Sequence, residues 1–326
     1  MKPVVFVPEI IASSGLDLLR EECDCLVPWE GDTDPPDDGQ LREMLYEADA
    51  VIVRLFTIGE RDLQQAKNLK VIGKHGVGVD NIDCPAATAR RIPVVYTPNS
   101  TLHAVAEHAL TLMLALARQL GPASAALRAG RFGERDRFKG VELSGKSLGV
   151  IGLGRIGDRL ARIAAFGLDM TVYGYDPFVS NANYSGPAKL EDGLEELLPK
   201  VDFLSIHVPL TPDTRHLINE RTLELCKPGC IIVNTSRGGV IDEAALAHAL
   251  HQGTLAGAAL DVFEEEPPPV DHPLCRAPNA LLTPHIAGLT HQSQENTALQ
   301  VAQGVLDVLN GRPPEHLVNP DALTPP

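Results

Sequence analysis

Residues 147–157 read SLGVIGLGRIG. The first five are short, apolar and two-sided, the pattern of a strand buried in a parallel sheet. Gly152, Gly154 and Gly157 then space out G-x-G-x-x-G, and a helical pattern runs over 155–166. The first glycine allows a tight turn, the second lets backbone approach a pyrophosphate, and the third lets helix and strand pack closely. The helix N-terminus offers free N–H groups and partial positive charge to the phosphates. Asp176 ends the next apolar run, 19 residues after Gly157. A carboxylate there can accept hydrogen bonds from the adenosine ribose and repels a 2′-phosphate, which favours NAD over NADP. Pro177 and Phe178 follow, so no Arg stands ready for that phosphate. A glycine turn alone is common. Strand, helix and carboxylate in register make this one a dinucleotide site.

Working outward, short apolar runs at 170–175, 203–207, 230–234, 256–261 and 280–283 continue the strand pattern, with helical stretches between them. The N-terminal third alternates in the same way, with strands expected at 4–7, 49–54, 69–73 and 92–96 and a helix at 13–22. Such alternation implies right-handed crossovers and parallel sheets, an α/β class. Residues 30–39 (EGDTDPPDDG) are expected to be a loop, 103–120 a long buried helix joining two domains, 292–310 a final helix, and 312–326 a Pro-rich tail.

The 326 residues, 44% hydrophobic, are enough for about two domains. A formal net charge of −15 argues against non-specific nucleic-acid binding, which needs a basic face. No leader-like segment opens the chain and no apolar run reaches membrane-spanning length, so a cytoplasmic protein without membrane attachment is expected. The six cysteines match no zinc framework, and reduced thiols with no metal site are expected.

Three loops at strand ends carry reactive groups: NTSRGG (234–239) with Arg237, DVFEEEP (261–267) with Glu266, and TPHIAG (283–288) with His285. Ligands bind at that edge of an open α/β sheet. Oxidising a 2-hydroxy acid needs a base that titrates near neutrality, and His suits. The acid's carboxylate needs a cation, and the planar fork of Arg holds two oxygens. Taken singly, each has a plainer reading: Arg237 as a solvated loop residue, Glu266 as part of a wet charge run, His285 as a satisfied loop histidine.

Together the segments resemble the D-isomer-specific 2-hydroxyacid dehydrogenase family. The likeness covers nearly the whole chain, through GKHGVGVDNID (73–83), VIGLGRIG (150–157), YDPF (175–178), HVPLTPDTRHLI (207–218), NTSRGGVIDEAAL (234–246), ALDVFEEEP (259–267) and TPHIAG (283–288), in family order. The resemblance implies two doubly wound parallel-sheet domains: a discontinuous flavodoxin-like substrate domain, 1–98 plus 289–326, and a Rossmann cofactor domain, 99–288. It implies that Arg237 binds the substrate carboxylate and that His285 is the acid or base. Glu266 would orient His285 and favour its charged form. It implies NAD contacts from Gly152, Gly154, Arg155, Ile156, Gly157, Asp176, His207, Val208, Pro209, Thr235, Asp261, His285 and Gly288, with Asp261 on the nicotinamide carboxamide. Substrate contacts are implied at His75, Gly76, Val77, Gly78, Asn81 and Arg237. A homodimer through the cofactor domain is implied as well, with the helix at 103–120 as an element of it.

Glu266 stands where formate-type relatives carry Gln, and Val77 where phosphite-type relatives carry Lys, so neither branch is expected. The chain stops at Pro326, which leads us to expect a form without a C-terminal regulatory extension. Arg54 and Lys74 could neutralise a second anionic group on a small 2-hydroxy or 2-oxo acid. Hydroxypyruvate or glyoxylate reduction ranks first and 3-phosphoglycerate oxidation second. Two rivals stand: an NAD-sensing co-repressor-like binding protein, and an L-lactate- or L-amino-acid-type dinucleotide enzyme. The order Arg237, Glu266, His285 argues against the latter.

Overall fold

The computed structural model describes residues 2–30 and 36–324. Of the loop expected over 30–39, residues 31–35 lie outside those described, and Asp38 and Gly39 instead open a helix that Asp37 caps by accepting the Gln40 N–H. Along the chain run β1 (Val4–Phe6), α1 (Ser13–Glu22), β2 (Asp24–Leu26), α2 (Asp38–Glu47), β3 (Ala50–Val53), α3 (Glu60–Gln65), β4 (Val71–Lys74), α4 (Cys84–Ala89) and β5 (Val94–Val95). Then come α5 (Leu102–Ala117), α6 (Leu120–Arg128), β6 (Ser147–Ile151), α7 (Arg155–Gly167), β7 (Thr171–Tyr175), β8 (Lys189–Leu190), α8 (Leu194–Leu197), β9 (Phe203–Ile206) and α9 (Glu220–Leu223). The last are β10 (Ile231–Asn234), α10 (Glu243–Gln252), β11 (Gly257–Leu260), α11 (Pro273–Arg276), β12 (Ala280–Leu282) and α12 (His291–Leu309).

The chain divides into two compact units: Met1–Thr101 with Leu289–Pro326, and Leu102–Gly288. In the first unit five parallel strands lie in the order β2-β1-β3-β4-β5. Their side chains alternate as a pleat requires. Val5, Ala50, Ile52 and Val71 pack on one face with Val301, Val305 and Leu306 of α12. Phe6, Val51, Val53 and Ile72 fill the other. Gly73 is needed for this. A Cβ there would lie 2.8 Å from side-chain carbons of both Val301 and Val305, so α12 could not settle on β4.

In the second unit seven parallel strands run β12-β11-β10-β9-β6-β7-β8. The order reverses between β6 and β9, which places a switch point at the end of the glycine-rich turn, where open α/β sheets bind ligands. The expected helix at 103–120 is two helices. Val141 N–H takes the Ala117 carbonyl (2.8 Å), Gln119 adopts a left-handed backbone (φ 49°), and α6 leaves at 61° to α5. Rather than bridging domains, α5 belongs to the second unit, where Ala106, Ala109, Leu112 and Met113 are buried in its core. Among the described residues no single helix is long and apolar enough to cross a membrane, although the bent pair α5–α6 would pass on length and composition.

Candidate active site

The turn after β6 is built for close approach. Gly152 has φ +88°, and a Cβ on it would sit 2.6 Å from the His207 carbonyl oxygen. A Cβ on Gly157 would lie 2.0 Å from Gly152 O, so only glycine lets α7 reach the strand. By contrast, nothing lies within 4 Å of the Cβ position of Gly154. Gly154 is also the N-cap of α7 and offers no side-chain cap, so first-turn N–H groups remain for another acceptor. Gly154 and Arg155 are exposed. This cradle fits a pyrophosphate: open backbone, helix N-terminus and room. Asp176 closes it, accepting Leu153 N–H on Oδ2 and Phe178 N–H on Oδ1, both at 2.9 Å. Each oxygen keeps a further lone pair for a ribose hydroxyl.

At the neighbouring strand ends, His207 Nε2 pairs with Ser205 Oγ at 2.8 Å, and burial pushes the ring down to about 4. Val208 is half-buried and Pro209 exposed. Thr235 is buried, and its hydroxyl has no partner among the described residues.

The reactive loops of this unit converge. His285 Nδ1 lies 2.7 Å from Glu266 Oε2, and Glu266 Oε1 accepts the Phe263 N–H at 3.0 Å. Burial pushes the Glu266 carboxyl up. The His285 bond, the Phe263 amide and the charges of His285 and Arg237 outweigh it and leave the group below the ordinary carboxylate value. An ionised carboxylate only accepts, so Nδ1 carries the proton and Nε2 is the nitrogen left for chemistry. Arg237 is held from behind by Asn234, fully buried, whose Nδ2 donates to Arg237 O (2.8 Å) and whose Oδ1 takes Ser236 N–H and O–H. A Cβ on Gly238 would lie 1.9 Å from Phe263 C, so the arginine loop and the Glu266 loop touch backbone to backbone. A pocket of about 320 Å³, walled by Phe263, Pro267, Leu282 and Pro284, has Glu266 and His285 in its lining.

Asp261 sits beneath His285 with no exposed surface. Its Oδ1 accepts Thr283 Oγ1 (2.6 Å) and Ile286 N–H (2.9 Å), its Oδ2 accepts Ala287 N–H (2.7 Å), and its backbone carbonyl takes His285 N–H (2.8 Å). His108 of α5 completes the group, with Nε2 3.2 Å from Thr283 Oγ1. Burial pushes the Asp261 carboxyl up, but His108, Thr283 and the two amides outweigh it and hold it low. His285 itself has φ +52°, a conformation few non-glycine residues adopt and one held here by these bonds.

In the first unit, at the ends of β3 and β4, Glu9 accepts the N–H groups of Arg54 (2.6 Å), Leu55 (2.8 Å) and Phe56 (3.0 Å). Arg54 donates to Ile10 O at 2.9 Å. Lys74 is buried, its ammonium on Arg54 O and, at 2.5 Å, Asn81 Oδ1. His75 is 6% exposed, and its Nε2 has no partner among the described residues. Burial, helped by the charges of Arg54 and Lys74, pushes this ring down to about 4. Gly76 N–H is held by Thr97 Oγ1 (3.1 Å), Gly78 is half-buried, and Val77 is 37% exposed. Sequence reasoning missed His108, Glu243, His272 and Glu9. His108, His272 and Glu9 stand in no quoted motif, and Glu243, though inside NTSRGGVIDEAAL, is an acid in the first turn of a helix and reads as an ordinary dipole partner.

The family model for the NAD binding domain of D-isomer specific 2-hydroxyacid dehydrogenase matches residues 110–287. The chain is 47% identical over 283 residues to D-3-phosphoglycerate dehydrogenase of Methanocaldococcus jannaschii, covering 86% of this chain and 53% of that protein. Among solved structures it resembles the TT0316 protein of Thermus thermophilus (TM-score 0.87, 36% identity, 97% of this chain and 99% of that one). It also resembles D-lactate dehydrogenase of Aquifex aeolicus complexed with NAD and lactic acid (TM-score 0.84, 28% identity, 97% and 99%). The chain thus spans about half the length of the curated phosphoglycerate dehydrogenase it matches, against nearly all of the two solved chains.

Proposed function

Because this chain belongs to the D-isomer specific 2-hydroxyacid dehydrogenase family, we propose that it moves a hydride between NAD(H) and C2 of a small 2-hydroxy or 2-oxo acid. The observation that carries this is the 2.7 Å bond between His285 Nδ1 and an ionised Glu266, beside Arg237 at the end of β10. That bond leaves Nε2 to give a proton to the carbonyl oxygen in reduction and to take it back in oxidation. Glu266 stabilises the imidazolium and fixes its plane. Arg237 holds the carboxylate and polarises the C2 oxygen. In the first unit, His75, Gly76, Val77, Gly78 and Asn81, on the loop after β4, are the proposed substrate contacts. The nicotinamide ring, when bound, gives or accepts the hydride.

NAD contacts are assigned to Gly152, Gly154, Arg155, Ile156, Gly157, Asp176, His207, Val208, Pro209, Thr235, Asp261, His285 and Gly288. The open cradle at Gly154 and the carboxylate of Asp176 support this. Residues 1–98 with 289–326 form the substrate domain and 99–288 the cofactor domain. Hydroxypyruvate or glyoxylate is the first substrate proposed. 3-Phosphoglycerate is proposed beside them, since the M. jannaschii relative is named for that reaction and Arg54 is a half-buried cation at the end of β3, while Lys74 is buried against Arg54 O and Asn81 Oδ1.

NADH oxidation across hydroxypyruvate, glyoxylate, phosphohydroxypyruvate and pyruvate tests the reading. Turnover with one clear favourite is expected, and His285→Ala should lower it by about 10²–10⁴-fold while NADH still binds. Undiminished turnover in that variant would sink the mechanism. Tight NADH-dependent peptide binding with no turnover would favour the co-repressor reading. A homodimer through the second unit is also proposed, because Leu120, Leu127, Phe132 and Val141 leave apolar surface exposed around α6. Light scattering should then give twice 35.0 kDa, and Phe132→Asp should halve it. The six unpaired thiols support a reducing, cytoplasmic setting.

A further inference from the structure

We propose that Glu243, with His272 behind it, is a positioning residue that sets the aim of Glu266 at His285; this rests on the catalytic reading above. Glu243 is the first residue of α10, and only 6% of it is exposed. A carboxylate buried so deeply must be hydrogen-bonded. Its Oε1 accepts the N–H of Glu264 at 2.8 Å, and its Oε2 lies 3.0 Å from His272 Nε2.

The tautomer of His272 follows from its other nitrogen. Nδ1 accepts the Leu274 N–H at 3.3 Å, capping α11, so Nε2 bears the hydrogen and donates to Glu243. The same ring stands edge-on to Phe263, centroids 6.3 Å apart. The peptide unit between Phe263 and Glu264 is therefore clamped. Its N-terminal amide is held by Glu266 (3.0 Å), its own N–H by Glu243 (2.8 Å), and its carbon rests on Gly238, next to Arg237. Glu266 is three residues from Phe263 and closes a ring with it. If the peptide turns, the Oε1 anchor moves and Oε2 loses its line to His285 Nδ1. Three further charges stand nearby: the Glu264 carboxylate, which opposes that of Glu243, and Arg215 and His216, which pair with the Glu264 side chain.

The experiment is a double-mutant cycle on the full chain, with NADH and the preferred 2-oxo acid. Glu243→Gln keeps the shape and one acceptor but opposes an amide to a donor. We expect kcat to fall roughly tenfold with the KM for NADH nearly unchanged. The pH profile should move towards that of Glu266→Gln. In the Glu266→Gln background the same change should cost nothing further, because the residue it acts through is gone. Full activity of Glu243→Gln, or losses that multiply in the double variant, would overturn the proposal. If Glu243→Gln does not fold, His272→Asn decides alone, since Asn can still cap α11 but withdraws the ring Nε2–H. Should wild type turn over no acid, the catalytic reading fails separately. The ¹⁵N resonance of His285 Nδ1, identified by its loss in His285→Ala, still tests the clamp: it shifts in Glu243→Gln if the clamp holds, and stays put if it does not.

Discussion

Asp261 shows how a residue's place in a motif and its contacts can point to different work. By resemblance it would bind the nicotinamide carboxamide. In the fold its side chain is already engaged by Thr283, Ile286 and Ala287, and it holds the segment that carries His285. The two roles separate on Asp261→Asn. An amide there must point NH2 at one of those donors, at a cost of about 1–3 kcal/mol. We expect a lower melting temperature and a lower kcat, read by calorimetry and initial rates. A rise in the NADH dissociation constant with unchanged stability would instead favour the carboxamide role. Arg237, Glu266 and His285 were legible because each sits in a quotable string at a strand end. Glu243, His272 and His108 were not, because their partners are 29, 29 and 175 residues away or are backbone amides that no side-chain pattern encodes.

At the scale of elements, the parallel strands could be read because each is a short buried run bounded by turns. β2 and β8 each open on an exposed charged residue, Asp24 and Lys189, and bury none of their residues fully, so they lack the apolar run. The break between α5 and α6 was hidden for a different reason. Only Arg118 and Gln119 interrupt the apolar run there, two residues a helix accepts, and the carbonyl at its end is claimed by Val141, far along the chain. The β6–α7 junction tests the glycine argument directly. Gly157→Ala puts a methyl 2.0 Å from Gly152 O, so α7 must shift away from the turn. NADH affinity, followed by fluorescence titration, should fall at least about tenfold, which corresponds to 1.4 kcal/mol. An unchanged affinity would show that the turn does not form the phosphate cradle.

For the whole molecule, acid sensitivity should come partly from rings kept neutral by burial. His75 and His207 both titrate near 4 in the fold, below the ordinary value of 6.5. As pH falls through 6.5 the unfolded chain takes up protons that the folded chain refuses until about 4. Stability is therefore full above about 6.5 and is lost progressively down to about 4. For His75 this amounts to roughly 3 kcal/mol at most. Trp29, whose indole N–H bonds Val7 O within the same unit, reports it: the urea midpoint from its emission should drop between pH 6.5 and 4, and drop less in His75→Leu. A midpoint flat across that window would mean the ring charges without cost. The two-unit division was foreseeable from family order, whereas this buried histidine was not, since burial of one ring leaves no trace in sequence.

The lodging of α12 against β4, with Gly73 cleared to receive Val301 and Val305, has a temporal meaning. Synthesis runs from the first residue, so the five strands of the first unit leave the ribosome some two hundred residues before the helix that seals one of their faces. The second unit is contiguous and can finish during that interval. A nascent chain paused there would display a sheet face covered by α1 but not yet by α12, the stage at which this protein would lean most on chaperones.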